Sequence, residues 1–163
     1  MPPVHPAIVH FPIALVTLSV LADLFGYIFN SDSLRGAGWW SLLGAAIGGA
    51  LAVVAGLYDM NREKIEHEAH ERVHVHMKVG FVVLAVVAVL TLWRWWIYAN
   101  NANAVSIVYL VVAFLVLGLT MFQGYLGDEL VFADGAGVAP TGQGTEPPKQ
   151  ARERAAKVAG GLR

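Results

Sequence analysis

Long apolar runs broken by short polar joints set the plan of this chain. A bilayer core of roughly 30 Å takes about 20 apolar residues per helical span. Four stretches meet that length: residues 8–29, 39–58, 77–98 and 104–126. The first is interrupted by His10, Pro12, Thr17, Ser19 and Asp23, and the third carries Lys78 near one end and Arg94 near the other. The second and fourth carry no charge. The joints are Asn30–Gly38, Asp59–His76 and Ala99–Asn103. The first and last are short, which predicts antiparallel hairpins of helices 1–2 and 3–4. The expectation is an all-α, integral-membrane four-helix bundle, antiparallel and up-down, with both termini on one side.

Two units follow from the composition along the chain. Residues 1–132 form the transmembrane domain, and residues 133–163 a Gly/Pro-rich linker and polar tail. The linker, DGAGVAPTGQGTEPP at 134–148, cannot be regular structure. The run KQARERAAKV is too short for a stable isolated helix. The opening MPPVHPAIVHF has no basic region and leads into an apolar stretch too long for a signal peptide, so helix 1 reads as a permanent span.

Bulk composition agrees. Of 163 residues, 56% are hydrophobic and 14% charged, with a net charge of -1; soluble domains carry roughly 25% charged residues. The mean hydropathy is +0.56. A disordered chain and a nucleic-acid binder are both excluded, the latter for want of a basic excess. The absence of cysteine removes disulfides, thiolate zinc sites, iron–sulfur clusters ligated by this chain and covalent c-type haem.

Lysine and arginine placement gives an orientation. Arg62, Lys64, Arg72, Lys78, Lys149, Arg152, Arg154, Lys157 and Arg163 fall on the side of the termini, and only Arg35 and Arg94 on the other. Both termini are therefore expected in the cytoplasm, with the protein in a bacterial cytoplasmic (inner) membrane. Trp39, Trp40, Trp93, Trp95 and Trp96 all fall at the opposite end, where indoles anchor helices at headgroup level.

Polar groups are costly in lipid, so their positions carry the functional information. Up-down connectivity brings His5, His10, Asp59, His74, His76, Asp128 and Glu129 to the cytoplasmic mouth. His10 and His76 stand at similar depth, and two imidazoles facing one another across a bundle can ligate one haem iron, or share a divalent metal with a carboxylate such as Asp59. Histidines are too few for a two-haem wire. Pro12 leaves the carbonyl of Ile8 unpaired and is expected to bend helix 1. Helix 2 carries Gly44, Gly48, Ala52 and Gly56 at four-residue intervals, a stripe suited to close helix packing or to a groove for a flat cofactor lined by Gly48 and Gly56. Asp23 lies 13 residues beyond His10, roughly 140° around the helix at about 100° per residue, and so apart from it. Arg94 or Tyr109 could partner it. His67, His70, Glu71 and His74 would share one helical face, a second and weaker metal array among many charges.

Three patches, HPAIVHFPIAL at 5–15, GLYD at 56–59 and GYLGDELVF at 124–132, resemble an uncharacterised family of bacterial four-helix membrane proteins, a domain of unknown function. Its members begin with H-P-x-x-V-H-F-P and end with G-x-L-G-G-E-L-V. The resemblance spans roughly residues 5–138. Relatives also carry the aspartate matching Asp23 and the histidine matching His76. Asp128 departs from the pattern, standing where relatives have a second glycine, and the His67–His74 array is not part of it. The resemblance implies a membrane domain sometimes fused to Rieske-type iron–sulfur domains, hence a respiratory or redox setting.

Three readings stay open. The first is a redox subunit holding one b-type haem between His10 and His76, or passing electrons to a quinone. The second is a cofactor-free structural or accessory subunit that packs on protein partners of a larger membrane complex. The third is a metal or proton-handling site built from His5, His10, His76 and Asp59. No nucleophile–histidine pair, nucleotide loop or H-E-x-x-H signature marks a stand-alone enzyme.

Overall fold

The computed structural model describes residues 4–62, 67–100 and 104–132, the side chains of residues 62, 67–71 and 132 excepted. The chain forms four helices: α1 (His5–Ile28), α2 (Asp32–Arg62), α3 (His67–Asn100) and α4 (Ile107–Phe132). All four are long and apolar enough to cross a membrane, and no strand occurs among the described residues. Each helix packs on the next in chain order and α4 closes back on α1. In this up-down ring α1 and α3 run parallel across one diagonal, and α2 and α4 across the other.

The helices outrun the apolar spans. Most of the expected joints Asn30–Gly38 and Asp59–His76 is helical, because the backbone ladder continues into charged turns that the apolar pattern does not mark. The linker and tail beyond residue 132 lie outside the described residues. Between α1 and α2 only three residues remain. Asn30 adopts the left-handed conformation with φ 49°, and the Ser31 N–H donates to the Gly26 carbonyl at 3.0 Å, closing the helix end. The returning chain passes so near that a Cβ on Gly26 would lie 2.7 Å from Arg35 Cγ and 3.0 Å from the Arg35 nitrogen.

The α1–α2 pair is the most intimate in the bundle, and the small-residue stripe of α2 is the reason. A Cβ on Gly44 would come within 3.2 Å of Leu15, on Gly48 within 3.5 Å of Pro12, and on Gly56 within 3.1 Å of His5. Of the two uses open to that stripe, close packing is the one seen. Helix α1 continues through Pro12, which is buried.

Small and branched side chains from all four helices fill the centre, among them Val16, Val20, Leu42, Ala45, Val87, Leu90, Leu110, Ala113 and Val116. Buried Thr91 and Thr120 each donate to the carbonyl four residues earlier, so their hydroxyls need no partner from another helix. Large apolar residues such as Leu18, Ile47, Val89 and Leu115 point outward, as a lipid-facing surface requires. The tryptophans divide. Trp40, Trp95 and Trp96 are exposed and fit the anchoring role, whereas Trp39 is buried and stacks on Tyr98 at 5.5 Å, and Trp93 packs edge-on against Tyr109. Neighbouring residues on a helix point about 100° apart, so a tryptophan run cannot face one way.

The close turn makes a measurable distinction between glycines. Gly26→Ala is expected to cost about 1–3 kcal/mol through overpacking against the Arg35 backbone. Gly118, with nothing within 4 Å of its Cβ position, should tolerate alanine or gain about 0.5–1 kcal/mol. Thermal unfolding of the two variants in detergent checks both.

Candidate functional site

Two polar clusters bridge the α1–α3 diagonal, one at each end of the bundle. At the end that carries the N-terminus, His5 of α1 and His76 of α3 meet with ring centroids 6.0 Å apart and planes at 87°. His5 is positioned from α2. Its Nδ1–H donates to the Ala52 carbonyl at 2.7 Å, which leaves Nε2 with a free lone pair in the neutral ring. The backbone N–H groups of Val4 and His5 both donate to Asp59 Oδ2 at 2.7 Å. Asp59 thereby caps α1, whose own N-cap residue Val4 supplies no side-chain bond.

His76 is positioned from α4. Gln123 Nε2 donates to the His76 carbonyl at 3.0 Å and stands 3.2 Å from both ring nitrogens, while Gln123 Oε1 is buried without a partner. Glycines make the room: a Cβ on Gly127 would lie 3.2 Å from His76 Cε1, and one on Gly80 3.0 Å from Gln123 Nε2. A ring nitrogen lies about 1.2 Å from its ring centre, so the nitrogens of the two rings come no closer than about 3.6 Å. That exceeds hydrogen-bonding reach. The two imidazoles face one another without bonding each other, and can share an intervening atom.

At the opposite end, Asp23 of α1 and Arg94 of α3 form an ion pair with no solvent exposure on either side chain. The guanidinium grips the carboxylate with two bonds, Nε to Oδ2 at 3.1 Å and Nη2 to Oδ1 at 3.0 Å. Nη2 also donates to the Arg35 carbonyl at 2.8 Å. Tyr109 borders the pair, its ring 5.9 Å from the guanidinium carbon. Thus Asp23 takes Arg94 as its partner, with Tyr109 beside the pair. Gly38 is obligatory here, since its Cβ would fall 2.6 Å from Asp23 Cγ. Ser19 closes the network by donating to the Gly38 carbonyl at 2.8 Å. Every charge is matched, which makes this a clamp.

The expected pairing of His10 with His76 is replaced by that of His5 with His76. His10 is exposed, its Nδ1 bonded to the Pro6 carbonyl one turn back at 3.0 Å. Five residues separate it from His5, about 140° around the helix, so only one of the two can face the centre. Gly56 lies at the histidine site, but Gly48 lies under Pro12 further along α1. Asp59, expected as a ligand, is taken up by the α1 cap. Asp128 and Glu129 are exposed, Glu129 lining with Arg72 a shallow cleft of about 220 Å³ between α3 and α4. The side chains of His67 and His70 lie outside the described residues, and His74 is half-buried on α3. No group of three or more metal-ligating His, Asp or Glu occurs among the described residues.

Gln123 escaped sequence reasoning because a single glutamine in a span has no periodic signature. The choice of His5 over His10 did have one. His5 to Asp23 and His76 to Arg94 are both 18 residues, about five full turns. On two parallel helices, equal spacing aligns both pairs at once.

Removing one member of the clamp leaves a buried charge. Arg94→Met is expected to destabilise by about 3–5 kcal/mol, and Tyr109→Phe, which keeps the ring beside the guanidinium, by less than Arg94→Met. Melting curves in one detergent rank the two variants.

Comparison with known proteins adds one match. Residues 1–140 fit the family described as "Predicted membrane protein (DUF2231)". Neither a search of curated proteins nor one of solved structures returns a match. With four membrane-length helices and that match over most of its length, the chain belongs to the DUF2231 family of membrane proteins.

Proposed function

We propose that this chain is a small membrane subunit of a redox system, and that His5 and His76 hold one metal centre between them. The observation that carries this reading is the approach of the two rings from diagonally opposite helices to 6.0 Å. Two imidazoles on one metal have ring centres roughly 6–6.5 Å apart when the bonds are about 2.0–2.1 Å and nearly in line. The anchoring of His5 Nδ1 on a backbone carbonyl is the outer-shell support that orients a metal-ligating imidazole through its other nitrogen. The shared chemistry is a metal taking one imidazole from each side, whether the iron of a b-type haem or a bare transition-metal ion. When bound, such a centre supplies one-electron chemistry at one end of the bundle, with a membrane quinone or a neighbouring subunit as the electron partner.

The excess of lysine and arginine on the side of the termini supports an orientation with this site at the cytoplasmic face of a bacterial inner membrane. A site lacking the His5–His76 pair would leave only the reading of a cofactor-free accessory subunit.

The test uses the full chain, purified gently in detergent. Absorption spectra of reduced and oxidised samples, pyridine haemochromogen and elemental analysis distinguish haem from a bare ion. The expected result is one metal per chain, reduced at least about tenfold by His5→Ala or His76→Ala and retained in His10→Ala. Purified protein without haem or stoichiometric iron or copper, which also takes up neither added haem nor added copper or iron, would overturn the reading, as would zinc alone, which is redox-inert.

A further inference from the structure

Along their helices the two hairpins of this chain correspond at an offset of 71 positions. His5 corresponds to His76, Asp23 to Arg94 and Gly56 to Gly127. The correspondence holds in the contacts as well as in the numbering. Gly56 leaves room for the ring of His5 and Gly127 for the ring of His76. Ala52 bonds His5, and its counterpart Gln123 contacts His76. Gly38 lies against Asp23, and its counterpart Tyr109 lies against Arg94, its ring 5.9 Å from the guanidinium carbon.

Burial repeats too. Val16 and Val87, Val20 and Thr91, Leu42 and Ala113, and Ala45 and Val116 are all buried at matching positions. Outward positions match likewise, as in Leu21 and Leu92 or Val54 and Tyr125. Few identities survive, His5/His76, Val16/Val87, Tyr27/Tyr98 and Gly56/Gly127 among them, so the repeat is written in packing more than in sequence.

We infer that the bundle is one helical hairpin used twice, paired about an internal two-fold axis along the bundle, and that Asp23 and Arg94 are the device by which each hairpin accepts only its opposite. A residue can touch its own counterpart only on such an axis. Two pairs do so, His5–His76 and Asp23–Arg94, and about 27 Å of helix separates them. At the histidine end the axis carries like residues, so each hairpin contributes one identical group to a shared site. At the clamp end it carries opposite charges. Two hairpins of the first kind would bury facing carboxylates, and two of the second facing guanidiniums. Both are strongly penalised in an apolar interior, which is negative selection against pairing of like hairpins. The interaction surface is therefore the inner face of one hairpin, and its partner is the hairpin of opposite charge. This holds whatever His5 and His76 bind.

The test is a charge exchange in the full chain. Asp23→Arg alone and Arg94→Asp alone each place like charges on the axis and should lower the yield of monodisperse protein at least about tenfold. Combining Asp23→Arg with Arg94→Asp exchanges the roles of two equivalent positions, and recovery to within about threefold of the parent is expected, because the pair couples as a unit. A combined Asp23→Asn, Arg94→Gln variant serves as the uncharged reference. An exchanged variant as damaged as either single change, whether the uncharged pair folds or not, would overturn the inference, since the two positions would then not be equivalent.

Discussion

An ion pair withdrawn from water inside an apolar bundle survives only while both charges stay within hydrogen-bonding distance. Asp23 and Arg94 meet that demand across the diagonal, between two helices that do not pack directly on each other. Their bond sets the register of α1 against α3, because a slide of one residue would leave both groups buried and unmatched. Once that register is set, the residues about five turns back along each helix must also face one another. The meeting of His5 and His76 is thus a consequence of the clamp at the far end as much as of local packing.

The two ends of the diagonal differ in what meets there, opposite charges at one and like imidazoles at the other. Around Asp23 the carboxylate and the Arg94 guanidinium bond each other twice, and Gly38 and Tyr109 border the pair. Around His76 the Gln123 carbonyl is buried and unpaired, and the two imidazoles stand beyond reach of each other. At the histidine end Asp59 and Ala52 restrain His5 from a third helix. Both ends depend on glycine, because polar side chains reach the centre only where a neighbouring helix lacks a Cβ.

Much of this was legible from residue order. Membrane spans follow from apolar length alone, and with them the helix count and the up-down plan. The isolation of Asp23 in an apolar run pointed to a partner such as Arg94 or Tyr109, since lipid offers none. The small-residue stripe of α2 announced a close neighbour. Less was legible at the histidine end. His10 lies deeper in the apolar run than His5, and depth favoured it, but the angle around α1 decides which histidine faces inward, and that angle has meaning only relative to α3. Asp59 looked like a ligand because its type allows it. Its oxygen is instead committed to the first N–H groups of α1, which no sequence pattern discloses.

Sequence by itself determined that this chain spans a membrane four times, because transfer of apolar side chains into lipid is additive along a helix and needs no partner. It also set the spacing of 18 residues that recurs on α1 and α3. Tertiary structure alone decided what that spacing does. Facing, distance and satisfaction are properties of pairs of helices, and only the packed ring selects His5 over His10, opposes it to His76 and sets Gln123 beside them. The chemistry was present in the residues, and the bundle chose which of them meet.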